Sequence, residues 1–187
     1  MKTSDKKQLL RIARNSIGYG IHHGSDLIIN IEKFSEQLTG IAATFVTLFK
    51  MGELRGCVGC LEASRPLITD VSKNAFQSAF HDIRFSPVTQ KELNKLIIKI
   101  SILSPAETIK FSSEKDLISQ ICPNIDGLIL RDGFNRGTFL PNVWETIPEP
   151  QSFVHHLKKK AGLSSEYWSD TIKIDRYTTF EFGEDDV

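Results

Sequence analysis

The chain has 187 residues, 40% of them hydrophobic and 25% charged, with 23 Lys plus Arg balanced by 23 Asp plus Glu. This is an ordinary globular composition, with room for one sizeable core or one domain with a smaller lobe, and zero net charge removes the long-range attraction to nucleic-acid phosphates or anionic membranes. No apolar run approaches the ~20 residues of a membrane span, the charged start Met1 to Lys7 leads into no apolar signal core, and three cysteines are an odd set in a chain that needs no staples. The expectation is therefore a cytoplasmic protein with reduced thiols.

Ser4 can cap a first helix whose apolar positions Leu9, Leu10, Ala13, Ile17 and Ile21 recur at three- and four-residue steps. Gly18 and Gly20 weaken its end, and His22-His23-Gly24 marks a break. The histidine pair reads as an exposed helix terminus, because no thiol or carboxylate stands at ligand spacing beside it. Between Asp26 and Leu38 the only signals are a short apolar run, Leu27 to Ile31, and a helical turn near Phe34 to Leu38.

From Gly40 the pattern changes. Residues 41–50 are rich in β-branched and aromatic side chains, Met51-Gly52 makes a tight hairpin turn, and residues 53–60 return antiparallel. Pro66 suits the first position of a helix carrying Leu67, Val71, Ala75 and Ala79 on one face. That helix ends in His81-Asp82-Ile83-Arg84-Phe85, and Ser86-Pro87 then forces an extended path. Thr89 and Glu92 have capping-box spacing, and Val88 and Leu93 that of a hydrophobic staple. Residues 96–104 alternate as a strand, with Leu96, Ile98, Ile100 and Ile102 on one face.

Ser112 or Ser113 caps a helix through Cys122. Residues 127–140 predict a second hairpin, with Asp132-Gly133 supplying positive φ angles. A helix follows Pro148 to Pro150 and buries Phe153, Val154, Leu157 and Ala161, with Lys158, Lys159 and Lys160 at its negative end and Gly162 as left-handed cap. Ser164 to Trp168 reads as one more helical turn, and Thr171 to Phe182 as one long final strand. No repeat or low-complexity linker divides the chain, so 1–187 is read as a single α+β domain with an antiparallel sheet and packed helices. The Met51-Gly52 hairpin, the strand from Leu96 and the final strand should share that sheet, with the Leu67 to Phe80 helix packed on it.

The richest stretch is Glu53-Leu54-Arg55-Gly56-Cys57-Val58-Gly59-Cys60, where two thiols, a cation and two glycines fall within eight positions. A closed zinc site needs four ligands, and the only other cysteine is Cys122. A thioredoxin-like use would put the first cysteine at a helix N-terminus, whereas this pair precedes a loop. A plainer reading makes Cys57 a small buried hydrophobe, Gly56 and Gly59 bulge or close-packing residues, and Arg55 an ion-pair partner.

The stretch Leu54 to Gly59, preceded by Phe45-Val46-Thr47-Leu48, resembles the signature of the AMMECR domain family, whose prokaryotic members are called AmmeMemoRadiSam system protein A. Asp82-Ile83-Arg84-Phe85 with Pro87, Thr138 to Val143 and Lys160-Ala161-Gly162 follow in the family's order, so the resemblance covers nearly the whole chain. It implies one AMMECR-type α+β domain with a larger and a smaller lobe, and an association with a Memo-type protein and a radical SAM enzyme. The cofactor is left unknown, and the sequence offers no metal-ligand set of its own. Cys60 lies outside the signature.

Two functions follow. In the first, a cleft formed by residues 53–60 and the Asp82-Arg84 turn binds a small anionic substrate or a modified side chain, with Cys57 as candidate nucleophile. Arg55 and Arg84 supply charge-assisted hydrogen bonds, Asp82 orients one of them, and Gly56 and Gly59 let the backbone approach the ligand. Arg55 and the nearby amides should then lower the Cys57 pKa, and Arg55 and Arg84 should face one cleft. In the second, the domain is a non-catalytic adaptor presenting this surface to its partners. RNA binding is disfavoured by the neutral charge.

Overall fold

A computed structural model describes residues 1–187. The chain forms two compact units, Met1–Leu103 with Phe180–Val187, and Ser104–Thr179. Each has its own hydrophobic core.

The first unit holds helix α1 (Thr3–His23), a short α2 (Glu36–Thr39), strands β1 (Ile41–Lys50), β2 (Glu53–Gly59) and β3 (Arg65–Pro66), helices α3 (Leu67–Phe80) and α4 (Gln90–Leu93), and strand β4 (Leu96–Leu103). Its sheet runs β2-β1-β4-β9, with β3 also pairing β1 and β9 (Thr179–Gly183) closing the far side. The β1–β2 turn has φ of 54° at Met51 and 82° at Gly52, the two positive angles of a type I′ hairpin. Side chains alternate across a strand. Val46 and Leu48 of β1 and Ile98 and Ile100 of β4 therefore pack with Leu9, Ala13, Ile17, Val71 and Ala75 beneath α1 and α3. The odd-numbered positions Phe45, Thr47, Phe49, Ile97, Lys99 and Ser101 fall on the opposite, outer face, the one that carries the site.

Several local expectations are corrected. Lys2 rather than Ser4 occupies the cap position of α1, with no side-chain cap bond. The helix ends where His22-His23-Gly24 marks the break, at a left-handed Gly24. A Cβ on Gly20 would lie 2.6 Å from the Phe76 and Phe80 rings, so this glycine lets α1 approach α3. Pro66 is the cap of α3 rather than its first residue. The Thr89–Glu92 capping box forms.

The second unit has strands β5 (Glu107–Thr108), β6 (Gly127–Asp132), β7 (Asn135–Phe139) and β8 (Lys173–Tyr177), with helices α5 (Glu114–Gln120) and α6 (Pro150–Lys160). Its sheet order is β5-β8-β6-β7, all antiparallel. Trp144 stacks on Phe153 at 3.7 Å between ring centroids in the middle of the core. In the β6–β7 turn only Gly133, not Asp132, takes a positive φ. Lys158 is no dipole cap. It is fully buried, and its ammonium bonds Glu114 at 2.7 Å and the Tyr167 carbonyl at 3.1 Å.

The expected final strand is two strands in two sheets. Thr178 separates them, its N–H donating to Ser104 Oγ at 3.0 Å and its carbonyl accepting from the Ser104 N–H at 2.9 Å. The run Thr171 to Phe182 has no glycine or proline to mark that break.

Candidate functional site

The signature lies on β2, an edge strand of the first unit's sheet. Leu48 opposes Gly56 and Phe49 opposes Leu54, so Arg55 is the extra residue of a β-bulge. A bulge re-aims its side chain. The Arg55 guanidinium bonds Glu92 at 3.1 and 3.3 Å, where Lys50 also donates at 2.7 Å and the Thr89 cap closes the carboxylate from the other side. Arg55 first and Lys50 second hold the Glu92 carboxyl well below the usual carboxylate range. Two cations thus share one carboxylate, and the buried Nη1 of Arg55 has no hydrogen-bond partner.

The Asp82–Arg84 turn acts on the strand edge. Asp82 accepts from the Cys57 N–H at 2.8 Å, and Arg84 Nη2 donates to the Cys57 carbonyl at 3.4 Å, so the pair stands where a neighbouring strand would. Arg84 also grips Asp82 through Nε at 2.9 Å and Nη2 at 2.7 Å. These bonds hold the Asp82 carboxyl well below the carboxylate range and raise the Arg84 pKa. Asp82 is 8% exposed, whereas the Arg84 side chain is 52% exposed and its Nη1 takes part in none of these bonds. Both guanidiniums lie against the Phe85 ring, Arg55 at 5.9 Å and Arg84 at 5.5 Å from its centroid.

Cys57 is half-buried, with Sγ 3.3 Å from Thr47 Oγ1. Burial pushes its thiol pKa up, and the Thr47 hydrogen bond and the Arg84 charge offset this only in part. The expected lowering does not occur. Arg55, turned toward Glu92 by the bulge, is not the cation that acts on this thiol; Arg84 is.

The sheet register adds residues that linear spacing does not reveal. Cys57 opposes Thr47, and Thr47 opposes Lys99 on β4, whose ammonium pairs with Glu181 of β9 at 3.9 Å. Directly opposed side chains on one face stand within reach of each other. A thiol, a hydroxyl and an ammonium thus cross three strands in one row, and the ammonium reaches to the Glu181 carboxylate. In the next row Ser101 Oγ donates to Glu181 at 2.9 Å. Lys99 is the one cation in an apolar strand, which was the signal available for it.

The two signature glycines serve packing. A Cβ on Gly56 would lie 2.2 Å from the Ser78 carbonyl oxygen of α3, and one on Gly59 would lie 2.3 Å from the Phe45 ring. Cys60 belongs to a different environment: its Sγ is 3.3 Å from Asp70, a fully buried carboxylate that also holds Thr44, Arg65 and Asn74. Cys57 faces outward and Cys60 faces α3, so the C-x-x-C spacing does not make a facing pair.

Residues 10–182 match the AMMECR1 family model. The chain belongs to the AMMECR1 family. A relative from Methanocaldococcus jannaschii, Protein MJ0810, is 36% identical over 164 residues, covering 83% of this chain and 80% of that one. A protein of Methanothermobacter thermautotrophicus is 31% identical across 99% of this chain and 97% of its own. The crystal structure of the uncharacterized protein PH0010 from Pyrococcus horikoshii superposes with a TM-score of 0.89 at 30% identity, covering 98% of this chain and 93% of that one. The AMMECR1 fold is thus the α+β, antiparallel architecture expected. No helix in it is long and apolar enough to cross a membrane, and no three His, Cys, Asp or Glu side chains converge as metal ligands.

Proposed function

We propose that the outer sheet face around Cys57 binds a small anionic ligand or a modified, anionic side chain, without using Cys57 as a resting thiolate. Arg84 and Lys99 meet the negative charge and Thr47 hydrogen-bonds it, while Arg55 is committed to Glu92. The domain presents this ligand to the Memo-type protein and radical SAM enzyme that the family resemblance implies. The observation that carries the reading is the Arg84 guanidinium. Asp82 fixes it on one edge, while its other edge stands exposed beside Cys57. Such a pre-oriented fork matches an oxyanion.

Cysteine alkylation mapped by mass spectrometry tests it. Cys57 should label with a pH midpoint above the ~8.5 of a free thiol, moving higher in Arg84→Ala, and added inorganic phosphate should slow labelling. Fast labelling at neutral pH would restore Cys57 as nucleophile; labelling indifferent to phosphate, with no phosphate-induced NMR shifts at Arg84 or Lys99, would remove the anion site. A pure adaptor is the second reading, favoured by Ile83, fully exposed between Asp82 and Arg84. In that case Ile83→Asp abolishes partner binding while phosphate has no effect.

A further inference from the structure

Next to the Cys57–Thr47–Lys99 row lies a cleft of about 320 Å³ lined by Phe49, Gly52, Ile97, Lys99 and Asp185. Phe49 and Ile97 are direct cross-strand partners, one step along the same outer face from the Thr47–Lys99 pair. Lys99 Nζ stands 5.6 Å from the Phe49 ring centroid, so it belongs to the polar row and to the apolar cleft at once. Gly52 leaves the hairpin side open, with no atom within 4 Å of where a Cβ would be. The volume lies at the small end of ligand pockets, which combine apolar walls with a few placed polar groups.

We infer that the ligand is a small aromatic anion, its ring on Phe49 and Ile97 and its charged group on Lys99 over the Thr47–Cys57 row. This rests on the anion reading above and adds the ligand's second half. A ring suits Phe49 because aromatic pairs gain from offset or edge contact beyond the area they bury. The ammonium against that ring sets the anion one step from the stacking surface. Asp185 repels negative charge at its part of the cleft, so the ring occupies that part and the anion points toward Lys99.

Titration calorimetry of the full chain with inorganic phosphate, phenyl phosphate and cyclohexyl phosphate tests the inference. Phenyl phosphate should bind at least about tenfold tighter than inorganic phosphate, with cyclohexyl phosphate between them. Phe49→Ala should bring phenyl phosphate to within about twofold of inorganic phosphate measured on the same variant, with an unchanged far-UV circular dichroism spectrum certifying the fold. Phe49→Leu, which keeps apolar volume without a ring, should remove most of the difference between phenyl and cyclohexyl. Lys99→Ala should weaken all three. If inorganic phosphate binds but phenyl phosphate gains nothing, or keeps its gain in Phe49→Ala, the aromatic inference is overturned and the anion site stands. If none of the three binds, the anion reading itself falls.

Discussion

Gly56 has its role set by one distance. Its missing Cβ would sit 2.2 Å from a backbone oxygen of α3, which cannot rotate away as a side-chain tip can. Gly56→Ala should therefore cost about 1–3 kcal/mol, the range for forced overpacking, read as a lower urea midpoint with unchanged slope. An unaltered midpoint would mean that α3 yields, and would reopen Gly56 as a ligand-approach residue. Residue types alone suggested both readings, since a glycine announces close approach without saying to what. The same limit explains Arg55: its identity and neighbours read correctly, but the bulge that turns it to Glu92 depends on the register with β1. Thr47, Lys99 and Glu181 join the site only through cross-strand register, which linear spacing cannot supply. Cys57 was singled out by its setting, while its raised pKa follows from burial.

Among elements, local signals were readable where the chemistry is local. The Thr89–Glu92 box and the Met51-Gly52 turn each depend on neighbours a few residues apart, and both form as read. The break at Thr178 depends on Ser104, 74 residues away, and left no mark. Between these cases lies the pinning of β2 by two carboxylates, Asp82 at the Cys57 N–H and Glu92 at the bulge. Both have folded pKa values depressed below their unfolded ~3.9 and ~4.3. Each therefore contributes stability that is fully present above the unfolded pKa and is lost as pH falls through the folded one. Stability should drop steeply below about pH 4. In Asp82→Asn with Glu92→Gln, which keeps the capping-box geometry, the neutral-pH midpoint should be lower and the slope between about pH 4 and 2 flatter. Because Arg84 is half-exposed, solvent screens that ion pair, and the Asp82 bond to the strand backbone carries more of the effect. Parallel pH profiles for variant and wild type would sink the account.

For the whole molecule, the informative fact is that residues 104–179 interrupt the first unit between two strands that are neighbours in its sheet. Ser101 meets Glu181 while Ile98 meets Glu184, so β4 and β9 run in opposite senses and the end of β4 adjoins the start of β9. Antiparallel neighbours need only a two-residue connection. Replacing residues 104–178 with Asn-Gly should therefore leave a first unit that folds, since its core draws on α1, α3 and the sheet without any side chain of the second unit. Both tryptophans, Trp144 and Trp168, leave with the excised segment, so the readout must be far-UV circular dichroism and amide exchange. A cooperative urea transition with protected amides in β1 and β4 is expected. Exchange at random-coil rates would show that the first unit's core is insufficient alone, and that the AMMECR1 fold is held as one cooperative whole.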